Sequence, residues 1–158
     1  MSNRPADHQQ RMERVALAVE GLSIGDAFGQ QFFYVSDVED KIGQRSMPTS
    51  PWHYTDDTEM ALAITQVLDE WGYVEEDALA ETFARRYALN PQRGYGGMAH
   101  GILEALGQGA NWRQVSSDFF GGQGSMGNGG AMRVAPVGAY FADDPERAAV
   151  EARKSAIV

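Results

Sequence analysis

Cysteine is absent from the 158 residues. Its absence excludes a disulfide framework, thiolate metal sites and cysteine nucleophiles, and it fits a reducing compartment. Histidine is scarce as well. His8, His53 and His100 are the whole set, and none stands in the His-x-x-x-His spacing of a helical zinc motif. Basic residues are the minority, 13 Lys and Arg against 22 Asp and Glu, for a formal net charge of −9. Neutralising phosphates requires Lys and Arg, so general nucleic-acid binding is excluded, and an acidic membrane surface would repel the chain. No stretch approaches the ~20 apolar residues that span a bilayer. Met1 to Gln10 is polar with no apolar core, so no signal peptide is read there. The expected address is cytoplasmic.

Hydrophobic residues at 43% and charged residues at 22% are globular values, and this length suits one domain over residues 1–158. Apolar residues recur at helical spacing along most of the chain. The first helix is read from Arg11 to Gly29 on Met12, Val15, Val19 and Leu22. Gly21, Gly25 and Gly29 share one of its faces and suggest another backbone passing close by. Residues 30–54 carry no clean period and read as a loop or lid, with a short hidden helix or strand as the plainer alternative. A helix follows Thr55 on Met60, Ile64, Val67, Leu68 and Trp71 and stops at Gly72. The next runs from about Glu75 to Leu89, with Leu79, Phe83 and Tyr87 four apart, and ends at Asn90-Pro91. Further helices begin near Gly97 and after Asn111, the latter with Val115 and Phe119 on its apolar face. Another covers Ala131 to Phe141, with Pro136 in its first turns or kinking it, and the last follows the Asp144-Pro145 start signal. No strand pair is visible, so the fold class is all-α.

Two segments carry chemistry. In Thr55-Asp56-Asp57-Thr58-Glu59 the acidic residues suit the positive end of a helix dipole, and either Thr55 or the Asp56/Glu59 pair would make a capping box. The alternative is a cation site. One hydroxyl and two adjacent carboxylates offer only hard oxygen donors, which select Mg²⁺, Mn²⁺ or Ca²⁺ over zinc. Three such ligands are too few to close a site. Asp56 or Asp57 would also accept a proton from an attacking water. The second segment is Gly121 to Gly130, six glycines in ten residues running into a helix. Its backbone N–H groups, the helix N-terminus and Arg133 would cradle a pyrophosphate despite the net charge. It lacks both the Walker and the Rossmann pattern, and a flexible linker is the bland alternative. Arg93-Gly94-Tyr95-Gly96-Gly97 is a shorter glycine turn whose Tyr95 either stacks on a ligand ring or packs in the core.

These segments together resemble the ADP-ribosylglycohydrolase family. The resemblance rests on Gly25-Asp26-Ala27-Phe28-Gly29, Thr55-Asp56-Asp57-Thr58, Arg93-Gly94-Tyr95-Gly96 and Gly124-Ser125-Met126-Gly127-Asn128-Gly129-Gly130-Ala131-Met132-Arg133, in that order. It implies an all-α bundle with two Mg²⁺ or Mn²⁺ ions and hydrolysis of the bond between ADP-ribose and an acceptor. By that resemblance Thr55, Asp56 and Asp57 are metal ligands. Ser125, Gly127, Asn128 and Gly129 belong to the ADP-ribose cradle, and Gly94, Tyr95 and Gly96 line the same cleft. Asp26 is expected to pack helices or hydrogen-bond behind the site. Phe33 stands where many members carry a glutamate. The family's second Asp-x-Asp-Thr-type cluster is not in this sequence, so the chain reads as the N-terminal part of the family domain. A face open to the missing part is then expected at the Gly21/Gly25/Gly29 stripe and near Ile157. Weak cation binding, little hydrolysis by the chain alone and self-association are expected with it. The rival functions are an ADP-ribose-binding module and a structural fragment that needs a partner chain.

Overall fold

The computed structural model describes residues 4–125 and 127–158, with backbone only at 119 and 120. Phe119, read above as part of an apolar helix face, and Met126, in the glycine motif, fall outside the described side chains. The described residues form helices and turns without a strand: α1 His8–Gly29, α2 Val38–Gly43, α3 Asp56–Trp71, α4 Glu76–Leu89, α5 Gly97–Gly107, α6 Trp112–Asp118, α7 Gly129–Met132, α8 Ala135–Tyr140 and α9 Pro145–Ile157. Among them no helix is long and apolar enough to cross a membrane.

The core is built around α3. Its Ala61, Ala63, Ile64 and Leu68 are fully buried, and it packs against α1, α4, α7 and α8. Of the residues whose spacing was read from the sequence, Val15 and Val19 of α1 and Leu79, Phe83 and Tyr87 of α4 meet here, joined by Leu103 of α5 and by Val137 and Tyr140 of α8. The helix stops also fall where turn chemistry puts them. Gly72 closes α3 at φ +75°, and a Cβ there would meet Arg4 Cα at 3.2 Å and the Tyr140 hydroxyl at 3.3 Å, so glycine serves both the left-handed turn and the close approach. Asp144 caps α9 by accepting from Arg147 N at 2.9 Å, and Asn111 accepts from Arg113 N at 3.0 Å.

Several expectations are corrected. The 30–54 segment is not one long loop: it holds a 3₁₀ turn at Gln30–Phe32 and the helix α2. Ala131 to Phe141 is two short helices, α7 and α8, with Pro136 in the first turn of α8. Proline has no N–H to continue the ladder from α7, so the break falls just before it. Helix α1 starts three residues earlier than the apolar pattern indicates, supported by the Arg11–Asp7 ion pair at 2.9 Å. Among the described residues nothing beyond α1's own neighbouring turns comes within 4 Å of where a Cβ on Gly21, Gly25 or Gly29 would stand, so the stripe packs against no other described backbone. That face is exposed and includes Ile24 at 58% exposure; Ile157, at the end of α9, is 47% exposed.

One fully buried carboxylate ties the C-terminal helix to the core. Glu151 of α9 accepts from Val74 N at 2.7 Å and pairs with Arg147 at 2.7 Å and Lys154 at 3.2 Å. The bond to Val74 satisfies a backbone donor in the α3–α4 connection that has no helix of its own to pair with. Glu151→Ala strands that N–H, while Arg147 and Lys154, 46% and 31% exposed, turn to water; the loss should be about 1–3 kcal/mol. The midpoint and slope of urea denaturation check this; a loss below ~1 kcal/mol would show that solvent replaces the carboxylate.

Candidate functional site

The Thr55 turn is assembled by hydrogen-bond accounting. The first amides of any helix lack intrahelical partners. Here Asp56 N donates to the carbonyl of Arg93 at 2.7 Å. Asp57 N donates to Thr55 Oγ1 at 3.4 Å, and Thr58 N to Asp26 Oδ2 at 3.2 Å. Glu59 N makes the first helical bond, to Thr55 O at 3.2 Å. All three orphan donors are therefore used inside the protein, and what the turn presents outward is carboxylate oxygen. Thr55 is the N-cap, in extended conformation. Glu59 does not complete a capping box. It turns away to accept from the Tyr54 hydroxyl at 3.0 Å and to pair with Arg86 at 2.6 Å, because a buried carboxylate needs a cation more than a further N–H.

Asp26 organises this turn from α1. Besides Thr58 N, its carboxylate accepts from Thr55 N at 2.8 Å, Thr55 Oγ1 at 2.7 Å and Thr58 Oγ1 at 2.6 Å. Of the two roles open to Asp26, helix packing and hydrogen bonding behind the turn, these contacts are those of the second. A hydroxyl has one proton and two lone pairs. Thr55 spends its proton on Asp26 and one lone pair on Asp57 N, which leaves one lone pair for a further partner.

The Arg93 motif packs on the other side. Gly94 adopts φ +88°, and a Cβ built on it would lie 3.7 Å from Asp56 Oδ1. Tyr95 is 6% exposed, with its ring edge-on to Tyr87 at 5.1 Å and to His100 at 6.0 Å. It takes the packed role of the two open to it, and burial pushes its hydroxyl pKa up. Gly96 is the N-cap of α5 and carries no side-chain bond. His100, in the first turn of α5, is held at Nδ1 by the Tyr87 hydroxyl at 2.7 Å. His53 is exposed.

The glycine loop is placed differently. Ser125, Gly127 and Asn128 are exposed and Gly129 is half-buried. Gly127 N donates to Ser125 Oγ at 3.2 Å, and the Asn128 carbonyl accepts from Ala131 N at 2.8 Å and Met132 N at 3.0 Å. Two expectations about this loop fail. The helix it enters, α7, has only four residues, so it carries little of a macrodipole. Arg133 points inward. It is 7% exposed, donates to Ser155 O at 2.7 Å and to Met60 Sδ at 3.7 Å, and its guanidinium lies 4.5 Å from the centre of the Phe83 ring. Burial lowers its pKa to about 10. Through Arg133 and Met60, α7 rests against the first half of α3, one turn beyond Asp56. An open cavity of about 480 Å³ lies near the Thr55 turn on the α1 side, lined by Ser23, Ile24, Ala27, Ser50, Trp52 and Tyr54.

Sequence reading missed Tyr54, Arg86 and His100 as neighbours of the turn and gave Glu59 only a capping role. Glu59 and Arg86 sit on different helices, and no local spacing links them.

Among the described residues no three His, Asp or Glu side chains converge closely enough to hold a metal ion. Thr55, Asp56 and Asp57 together would offer one hydroxyl and two carboxylates, fewer donors than a closed cation site needs. Their electrostatics fit a cation nonetheless. Burial pushes the Asp56 carboxyl up, with the Asp26 charge adding to it and His100 opposing; burial, then Asp26, then Asp56 push Asp57 up. A raised carboxyl favours the folded state below its ordinary value of 3.8, and that contribution is lost as pH rises through the folded value. At neutral pH the ionised pair works against folding. Asp57→Asn should therefore raise the thermal midpoint at pH 7 in the absence of divalent cations and leave it unchanged at pH 3. A lower midpoint at pH 7 would show that the charge stabilises the turn.

Residues 7–158 match the family model described as ADP-ribosylglycohydrolase. The chain is 41% identical over 97 residues to the ADP-ribosylhydrolase ARH3 of Xenopus tropicalis, covering 59% of this chain and 27% of that protein. It is 32% identical over 143 residues to the ARH3 of Danio rerio, covering 82% and 38%. It is 29% identical over 145 residues to a putative ADP-ribosyl glycohydrolase, L543, of Acanthamoeba polyphaga mimivirus, covering 82% and 42%. The chain thus spans well under half the length of these curated relatives. With the match running from the N-terminal turn of α1 to the last residue of the sequence, the chain belongs to the ADP-ribosylglycohydrolase family.

Proposed function

We propose that this chain contributes to a hydrolase site that cleaves the glycosidic bond between ADP-ribose and an acceptor, with Mg²⁺ or Mn²⁺ at the Thr55 turn. The observation that carries this reading is the turn itself. Two half-buried carboxylates and a hydroxyl lie side by side, fixed by Asp26 and the Arg93 carbonyl, with every helix-start N–H already satisfied. Family membership and the relatives' names support the reaction class.

Thr55 Oγ1, Asp56 and Asp57 would hold the cation, whose contribution when bound is Lewis-acid polarisation and compensation of charge. The remaining donors would come from outside the described set. Asp56 or Asp57 takes the proton that an attacking water loses. The water oxygen forms the new bond at the anomeric carbon, the glycosidic bond breaks, and the acceptor leaves with the electron pair and takes up a proton from the protonated carboxyl or through solvent. The exposed Ser125–Gly129 loop would orient the ADP-ribose through backbone N–H groups, without help from Arg133. Tyr95, being buried, would act on this site through packing.

A second reading is favoured by the partial donor set: an ADP-ribose-binding module without turnover. Release of ADP-ribose from an ADP-ribosylated peptide, with and without Mg²⁺ or Mn²⁺, decides between them, alongside calorimetry with ADP-ribose. The hydrolase reading expects slow but cation-dependent release that Asp57→Asn abolishes. Binding without release selects the module. Release that survives both EDTA and Asp57→Asn would remove the Thr55 turn from the reaction.

A further inference from the structure

The Arg93-Gly94-Tyr95-Gly96 motif has so far been read only as part of a substrate cleft, yet its polar contacts run to the Thr55 turn. The Arg93 backbone carbonyl accepts from Asp56 N at 2.7 Å. The Arg93 side chain returns to the same segment. Its Nη1 donates to the Tyr54 carbonyl at 3.1 Å, and its guanidinium carbon lies 3.9 Å from the centre of the Tyr54 ring. One residue thus grips the chain on both sides of Thr55. The grip is itself anchored: the Tyr54 hydroxyl donates to Glu59 at 3.0 Å, and Glu59 pairs with Arg86 of α4 at 2.6 Å. Arg93 Nε is buried with no partner among the described residues. An unpaired buried donor costs stability, so the arginine is held there by the stack and by the carbonyl bond, not by full satisfaction of its donors. Gly94, at φ +88°, lets the chain turn away at once beside Asp56.

We propose that Arg93 is a positioning residue for Asp56: its side chain clamps Tyr54, which fixes its own carbonyl on the Asp56 amide and so sets the carboxylate's approach to a cation. The cation part of this proposal rests on the functional reading above; the clamp does not. Asp56 N is the first amide of α3 and has no helical partner, so its protection from solvent exchange depends on the Arg93 carbonyl alone. A merely structural arginine would, when removed, loosen the whole of α3 equally.

The test combines amide hydrogen exchange by NMR on the full chain with Mn²⁺ binding followed by electron paramagnetic resonance. In Arg93→Ala, exchange at Asp56 N should rise at least tenfold while Ile64 and Leu68, in the buried middle of α3, keep their wild-type protection. Mn²⁺ affinity should fall about tenfold. Arg93→Lys keeps one donor for the Tyr54 carbonyl but loses the planar stack, and should give intermediate exchange at Asp56; it also serves if the alanine variant does not fold. Unchanged exchange at Asp56 in either folded variant overturns the clamp, as does a uniform rise along α3. A local rise with unchanged Mn²⁺ affinity, where Asp57→Asn abolishes that affinity, overturns the link to the cation. No Mn²⁺ binding by the wild-type chain would overturn the cation reading and the link together, and the exchange data would still decide the clamp.

Discussion

The carboxylate of Asp26 is the constraint on which the site depends. It accepts four hydrogen bonds from Thr55 and Thr58, two from backbone and two from hydroxyls. Hydrogen bonds to an ionised acceptor are worth more than neutral ones, about 1.5–3 kcal/mol against ~1. They join the last turn of α1 to the start of α3, with Asp26 and Thr55 lying 29 residues apart in sequence. With Asp26 in place, Thr55 caps the helix, its hydroxyl proton is committed, and the two following carboxylates project from the same turn.

This arrangement concentrates negative charge in a chain that is already acidic. Asp26, Asp56 and Asp57 lie close enough to raise the affinity of the outer two for protons. The fold tolerates the repulsion because burial is only partial and because Asp26 is fully hydrogen-bonded. An arrangement that is unfavourable with both carboxylates ionised and that offers oxygen donors outward supports the cation reading proposed above. The cationic groups nearby do not neutralise it. Arg86 is committed to Glu59, Arg93 to Tyr54, and Arg133 to the interior. Each arginine supports the frame around the acidic turn and leaves the turn itself open.

The glycines divide along the same line between frame and surface. Gly72 and Gly94 serve turns that only a residue without Cβ adopts comfortably. Gly130 allows α7 to approach α9, since a Cβ there would sit 3.0 Å from that of Ala156. The Gly21/Gly25/Gly29 stripe faces outward, and its apolar neighbour Ile24 is exposed.

Helix periodicity is a property of neighbours in sequence, and it was legible: α3 and α4 follow their apolar spacing, and Gly72, Asn90-Pro91, Asn111 and Asp144 end or begin elements by local stereochemistry. The all-α class and the acidic turn at Thr55 follow from such local rules. Boundaries were less so where a short helix lacks a full apolar face, as in α2, or where one proline divides a run, as between α7 and α8. What only the tertiary structure decided is which partner each polar side chain finds. Glu59 faces Arg86 instead of capping its helix, Arg133 turns inward from the loop it follows, Tyr95 packs instead of stacking on a ligand, and Asp26 meets Thr55 and Thr58. These choices are set by the packing of α1, α4, α7 and α9 around α3. They depend on distances between residues far apart in the chain, and a buried charge or donor accepts whichever partner that packing brings within reach.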